Sequence, residues 1–303
     1  MNMILLWTVV CAMFVGHASA GTESIKNSVL TLGVDTSHGG AISYLVDNND
    51  PTINLINCHD QGREVQQSYY AGPDPYRGAQ WSGGPWPWNP ISSGDAFGHS
   101  STVLSLNNTG TSLYLKARPL QWALNNVPCN CTFETYITLD ANGAFVRNRL
   151  INFREDETDY GARDQELPAV YTIGQLSELW TYAGDAPWTG DSLTQVSYPV
   201  PGPPWQGFTA AENWAAFTDG IPQHYGVGVY HDNISSFLGG FHRTQGKGGS
   251  TDDNTGYIAP VGVRDITHND EFVWCYHLAI GYLATIRGYF SSRRGMPCTF
   301  PVV

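Results

Sequence analysis

Through much of this chain apolar and polar side chains change places residue by residue, in short runs rich in Val, Ile, Thr, Tyr and Phe that Gly, Pro, Asn and Asp interrupt. A period of two places alternate side chains on opposite faces of an extended backbone, so the pattern predicts strands. They fall over 28–34, 41–46, 101–106, 112–117, 131–139, 144–152, 224–231, 235–241 and 272–281, with one short helical piece over 174–181. Strand after strand with turn residues between them predicts an all-β fold, either a sandwich or a barrel.

Two long segments break the alternation: 71–93 (AGPDPYRGAQWSGGPWPWNPISS) and 185–208 (DAPWTGDSLTQVSYPVPGPPWQGF). Both are rich in Pro and Trp. Disordered loops are poor in aromatics, and long loops in compact domains tend to be functional. They are read as ordered loops at the rim of a cleft in one β domain spanning 21–303. Residues 1–20 (MNMILLWTVVCAMFVGHASA) carry no charged side chain and end in Ala18-Ser19-Ala20, the pattern of a secretory leader with Gly21 as the first mature residue. The apolar run is shorter than a membrane span needs. The expectation is a soluble, secreted protein, and the sequons at Asn107, Asn130 and Asn233 fit a glycoprotein.

Composition sharpens the picture. A net charge of -12, with only 15 Lys and Arg, argues against nucleic acid and anionic membranes as partners. The 10 Trp, 16 Tyr and 12 Phe supply flat faces that suit the C–H surfaces of neutral sugars, although large β cores use the same residues. Without the leader five cysteines remain (Cys58, Cys129, Cys131, Cys275 and Cys298), so disulfides are expected with one thiol left over. Cys129-Asn130-Cys131 has no partner at zinc-like spacing, and Asp252-Asp253-Asn254 reads as a turn rather than a Ca²⁺ loop. No cofactor and no metal are expected.

Against 14% charged residues, two strand-like runs stand out for their ionisable and amide side chains: 59–70 (HDQGREVQQSYY) and 162–174 (ARDQELPAVYTIG). In the first, alternation groups Arg63, Val65, Gln67 and Tyr69 on one face and Glu64, Gln66, Ser68 and Tyr70 on the other. A ligand-lined cleft would occupy Arg63, Gln67 and Tyr69; an edge strand facing water is the plainer alternative. His59-Asp60 reads as a turn. Next come Trp81, Trp86, Trp88 and Asn89, then Asp95 and His99, which are candidate sugar contacts, although Asp95 also suits a turn. In the second run Asp164 and Glu166 share a face and Arg163 and Gln165 the other. Two carboxyls about 7 Å apart raise each other's pKa, as a general acid beside a charged base requires. Pairing of Glu166 with Asp95 is an equal alternative, and an Arg163 ion pair at a sheet edge is the structural one. Tyr69, Gln67, Arg63 and His224 would together provide the base and the charge-neutralising groups of a polysaccharide lyase.

Residues 33–45 (GVDTSHGGAISYL), with Gly39-Gly40 leading into an alternating strand, resemble the opening hairpin of the galactose mutarotase-like supersandwich. Gly62-Arg63 resembles the pair with which that superfamily positions a substrate-binding Arg. The stretches at 165–171, 212–230 and 255–260 look like those of uncharacterised secreted proteins of the same kind. The resemblance spans 25–290 and implies one large antiparallel β supersandwich that handles carbohydrate. It departs where a strand His is expected and the chain carries Asp164-Gln165-Glu166, and the mutarotases' catalytic Glu near the carboxy terminus has no counterpart. The expected function is therefore cleavage of an oligo- or polysaccharide by acid–base chemistry, hydrolysis ahead of β-elimination. Glu166, Asp164, Asp95, Tyr69 and His224 are the candidate catalytic groups. Arg63, Gln67, Trp86, Trp88, Asn89, His99, Arg163 and Gln165 are the candidate substrate contacts. A lectin-like protein that only binds is the alternative, and sugar epimerisation ranks below both.

Overall fold

Ser112–Arg118 alternates strictly, burying Leu113, Leu115 and Ala117 and turning the residues between them outward. Such strands build two large antiparallel sheets in a computed structural model that describes residues 21–221 and 224–302. The leader expected over 1–20 lies outside the described residues. The first sheet runs Thr22–Lys26, Leu30–Asp35, Ile42–Asp47, Val65–Gln66, Ala169–Ile173, Thr255–Arg264, Ser236–His242 and Gln206–Thr209, and Arg163–Glu166 pairs with the far half of Thr255–Arg264. The second runs Thr194–Val196, Glu178–Thr181, Trp214–Thr218, Tyr225–Tyr230, Glu271–Tyr282, Gly143–Asn152, Cys131–Asp140, Ser112–Arg118 and Thr102–Asn108. Their inner faces enclose one core that includes Leu32, Phe133, Val146, Phe217, Phe237 and Ile258. The expected all-β architecture is thus observed, and each of the nine predicted strands has its counterpart.

The hairpin between Leu30–Asp35 and Ile42–Asp47 turns through Gly39 and Gly40, both in the left-handed region at φ 63° and 80°. A Cβ on Gly40 would lie 2.1 Å from Leu115, so the turn also needs the missing side chain to lie against the second sheet.

The helical piece expected at 174–181 is instead a turn leading into the strand Glu178–Thr181. Its spaced leucines, Leu176 and Leu179, enter the sandwich core because pairing with Trp214–Thr218 holds the backbone extended. The helix lies at Leu283–Ser291, where Leu283, Ile286, Tyr289 and Phe290 cover Trp214 and Tyr230 on the outer face of the second sheet. Disulfides join Cys129 to Cys131 and Cys275 to Cys298, leaving Cys58 as the free thiol among the described residues.

Candidate functional site

The outer face of the first sheet is apolar at its centre. Thr255–Arg264 is buried continuously from Thr255 to Pro260, because Tyr257 and Ala259 point away from the sandwich core into a second cluster with Ala169, Tyr171, Trp205 and Leu238. Above it lies a cleft of about 440 Å³, within the usual size of small-molecule sites. The long loops wall it as expected, with Trp81 and Trp86 from 71–93 and Pro203 and Trp205 from 185–208, joined by Trp122. Trp81 meets Trp122 edge-on at 4.8 Å, and Trp205 stacks on Tyr257 at 4.4 Å.

Glu166 lies on the cleft floor among Tyr70, Tyr171 and Tyr257. The Tyr257 hydroxyl donates a hydrogen bond to Glu166 Oε1. Burial pushes the Glu166 carboxyl above the ordinary carboxylate range, and the Tyr257 hydrogen bond only partly opposes that. The phenols of Tyr70, Tyr171 and Tyr257 are pushed upward by burial and by the Glu166 carboxylate. A carboxyl that gives up its proton less readily than usual, beside tyrosines that resist losing theirs, suits a proton donor but has no ready phenolate base beside it.

Arg63 and His242 line one end of the cleft with Asp60. Behind them Asp253 accepts from Arg63 at 2.8 Å and from Arg243 at 2.7 Å. The Arg243 hydrogen bond, aided by Arg63, holds the Asp253 carboxyl low. Asn89 Nδ2 donates to Ser68 Oγ at 3.0 Å while its Oδ1 accepts from Trp86 Nε1 at 3.1 Å, so the loop tryptophan is fixed to the strand beneath it.

Arg63, Trp86, Asn89 and Glu166 therefore share one cleft. The other candidates lie outside it. Glu64 sits at φ 75°, and this left-handed residue reverses the side-chain alternation between Arg63 and Val65. Gln66, Ser68 and Tyr70 face the cleft with Arg63, and Gln67 and Tyr69 face the core. There Gln67 Nε2 donates to the Glu134 carbonyl at 3.1 Å and to Thr135 Oγ1 at 2.9 Å. Its Oε1 accepts from Tyr69, whose hydroxyl accepts from Trp274 Nε1, both at 2.7 Å. The chain satisfies polar groups between the sheets.

Trp88 is 1% exposed and packs beneath Gly72, where a Cβ would lie 2.6 Å from it. Asp95 is buried and caps its own loop, accepting from the N–H groups of Phe97 and His99, each at 2.9 Å, from Asn126 at 2.6 Å, and from the His99 ring at 2.9 Å. The Glu166–Asp95 pair is not formed, since neither Asp95 nor His99 lines the cleft. Asp164 is exposed where its strand runs past the cleft, so it does not join Glu166. Arg163 lies 6.0 Å over the Tyr160 ring, and Gln165 clasps the Tyr70 backbone, accepting from its N–H at 2.9 Å and donating to its carbonyl at 2.8 Å. His224 immediately precedes the strand Tyr225–Tyr230 of the far sheet, 2.9 Å from Glu178. The sequence reading took Asp60 for a turn residue only and missed Gln66, Ser68, Tyr70, Trp122, Tyr171, Trp205, Tyr257 and His242 as cleft residues. The Trp205 loop and the alternation of 66–70 carried a signal for some of them; Trp122 and Tyr257 had none.

No protein-family model matches the chain, and no curated protein matches it. Among solved structures it is similar to a galactose mutarotase related enzyme from Lactobacillus acidophilus, at 11% identity and TM-score 0.54, over 86% of this chain and 97% of that one. It is likewise similar to a galactose mutarotase-like protein from Lactobacillus casei, at 10% identity and TM-score 0.52, over 86% of this chain and 100% of that one. The chain has the galactose mutarotase-like fold.

Proposed function

We propose that the protein is a secreted glycan-cleaving enzyme that binds a neutral saccharide in the tryptophan-walled cleft and uses Glu166 as the proton donor to the leaving glycosidic oxygen. The observation that carries this reading is a carboxyl with raised pKa, partly exposed on the floor of a cleft lined by Trp81, Trp86, Trp122 and Trp205. Indole faces suit sugar C–H surfaces, and a raised carboxyl suits the acid of glycoside hydrolysis. Asp60 is the second carboxylate lining the cleft and takes the part of base toward water. Hydrolysis stands ahead of β-elimination because the cleft tyrosines are pushed away from the phenolate form, and because Arg63 is already paired with Asp253 rather than free to neutralise a uronate.

The names carried by the structural neighbours point to mutarotation. That reading ranks lower here, since Asp164-Gln165-Glu166 stands where the strand His is expected. A binding-only protein is favoured by one observation: Asp60 is half exposed and 3.7 Å from Arg63, so it is partly committed to an ion pair.

Incubation with a panel of neutral and uronate-containing glycans, reading reducing ends and the absorbance of unsaturated uronate, separates hydrolysis, β-elimination and binding without cleavage. The expected result is new reducing ends without unsaturation, reduced at least about a hundredfold by Glu166→Gln, in keeping with the loss of a general acid. Full activity in that variant would remove Glu166 from the mechanism. Binding without cleavage of any glycan would leave the lectin-like and mutarotation readings.

A further inference from the structure

On the other side of the 59–70 segment lies a second cavity, of about 300 Å³. Asp35, His38 and Glu64 meet there, and each presents a donor atom within 4.8 Å of the others. Glu64 is 3% exposed, and its Oε2 has no hydrogen-bond partner. Asp60 also lines this cavity, and both Asp35 and Asp60 repel a charge on Glu64. No Lys or Arg is among the described residues lining it. A buried carboxylate oxygen without a partner, amid like charges, is costly unless the group keeps its proton or a cation answers it, and burial with these neighbours pushes the Glu64 carboxyl up.

We propose that Asp35, His38 and Glu64 form a binding site for a divalent transition-metal cation such as Zn²⁺. Tetrahedral bonds of about 2.0–2.2 Å to nitrogen and oxygen place donors roughly 3.3–3.6 Å apart around the ion, so donors that lie within 4.8 Å of one another close on it by side-chain rotation. One imidazole with two carboxylates suits Zn²⁺, whereas Ca²⁺ takes six or more oxygens and no imidazole. Asp35 is already oriented, since its Oδ1 accepts from the Ser37 N–H at 2.8 Å and its Oδ2 lies 2.7 Å from His38 Nδ1. The left-handed backbone at Glu64, unusual for a residue with a side chain, is what turns that carboxyl into this cavity while Arg63 enters the sugar cleft. The ion would tie the 35–40 turn to the segment that presents Arg63, and the proposal stands whether or not the cleft is catalytic.

The test uses the mature chain, dialysed against a chelator and titrated at neutral pH with ZnCl₂ by calorimetry, with melting temperature as a second readout. One equivalent of Zn²⁺ is expected to bind and to raise the melting temperature. Glu64→Gln and His38→Ala should each weaken binding beyond the roughly 10- to 100-fold that outer-sphere partners cost. If Glu64→Gln does not fold by circular dichroism, His38→Ala decides, because the His38 side chain is 36% exposed. Absence of stoichiometric binding, wild-type affinity in His38→Ala, or an equal affinity for CaCl₂ would overturn the assignment.

Discussion

Glu166 is poised by two opposed influences: burial, which favours the neutral acid, and the Tyr257 hydroxyl, which favours the anion. Tyr257→Phe removes only the second. The Glu166 carboxyl then rises further, and since a general acid works below its pKa, the alkaline limb of the activity profile should move to higher pH. One hydrogen bond to a charged group, about 1.5–3 kcal/mol, corresponds to a move of roughly one to two pH units. A limb that stays in place, measured as kcat/KM against pH, would mean that another group sets it. The sequence made Glu166 and Arg63 legible as cleft residues because both stand in polar runs inside an apolar domain. Gln67 and Tyr69 went to the wrong face for a single cause, the φ of Glu64, and a period of two cannot report one reversed residue. Gln165 shows the same ambiguity in another form: an amide 0% exposed serves a backbone as well as it would serve a ligand.

Among the elements, long half-buried strands were the most legible, since Ser112–Arg118 or Gly143–Asn152 write one face in apolar residues. Thr255–Arg264, buried on both faces, lost the alternation where its outer face became the floor of the cleft. Leu283–Ser291 was hidden because its apolar residues continue directly from Glu271–Tyr282, and its first residue gains no side-chain cap. The Cys275–Cys298 bridge closes the chain around this helix over a separation of 23 residues, a loop length whose closure restricts the unfolded chain by about 3 kcal/mol. Cys298→Ser should lower the stability by roughly that amount in urea titration. A loss within experimental error would show that packing of Leu283, Ile286 and Phe290 alone holds the carboxy-terminal segment.

At the scale of the whole molecule, pH acts through ionisable groups buried in their neutral forms. Burial lowers His231 and His277 to about 4, whereas the unfolded chain titrates histidine near 6.5. The unfolded state therefore binds more protons between these values, and stability that is complete above the unfolded pKa is lost as pH falls toward 4. Glu166, with its folded value raised, contributes in the opposite sense: full below the ordinary carboxylate pKa, lost as pH rises through its own. For His277, 4% exposed, the shift amounts to about 3 kcal/mol. Its ring stacks on Phe145 at 4.4 Å and its Nδ1 has no partner, so phenylalanine can keep the stack and remove the ionisable group. His277→Phe should hold or raise stability at pH 7, and it should lose about 2–3 kcal/mol less than the wild type between pH 7 and pH 4.5. Urea midpoints at the two pH values measure this directly. An unchanged acid loss in the variant would place the proton uptake elsewhere, with His231, 6.5 Å from Trp274 along the same sheet, the next to be replaced.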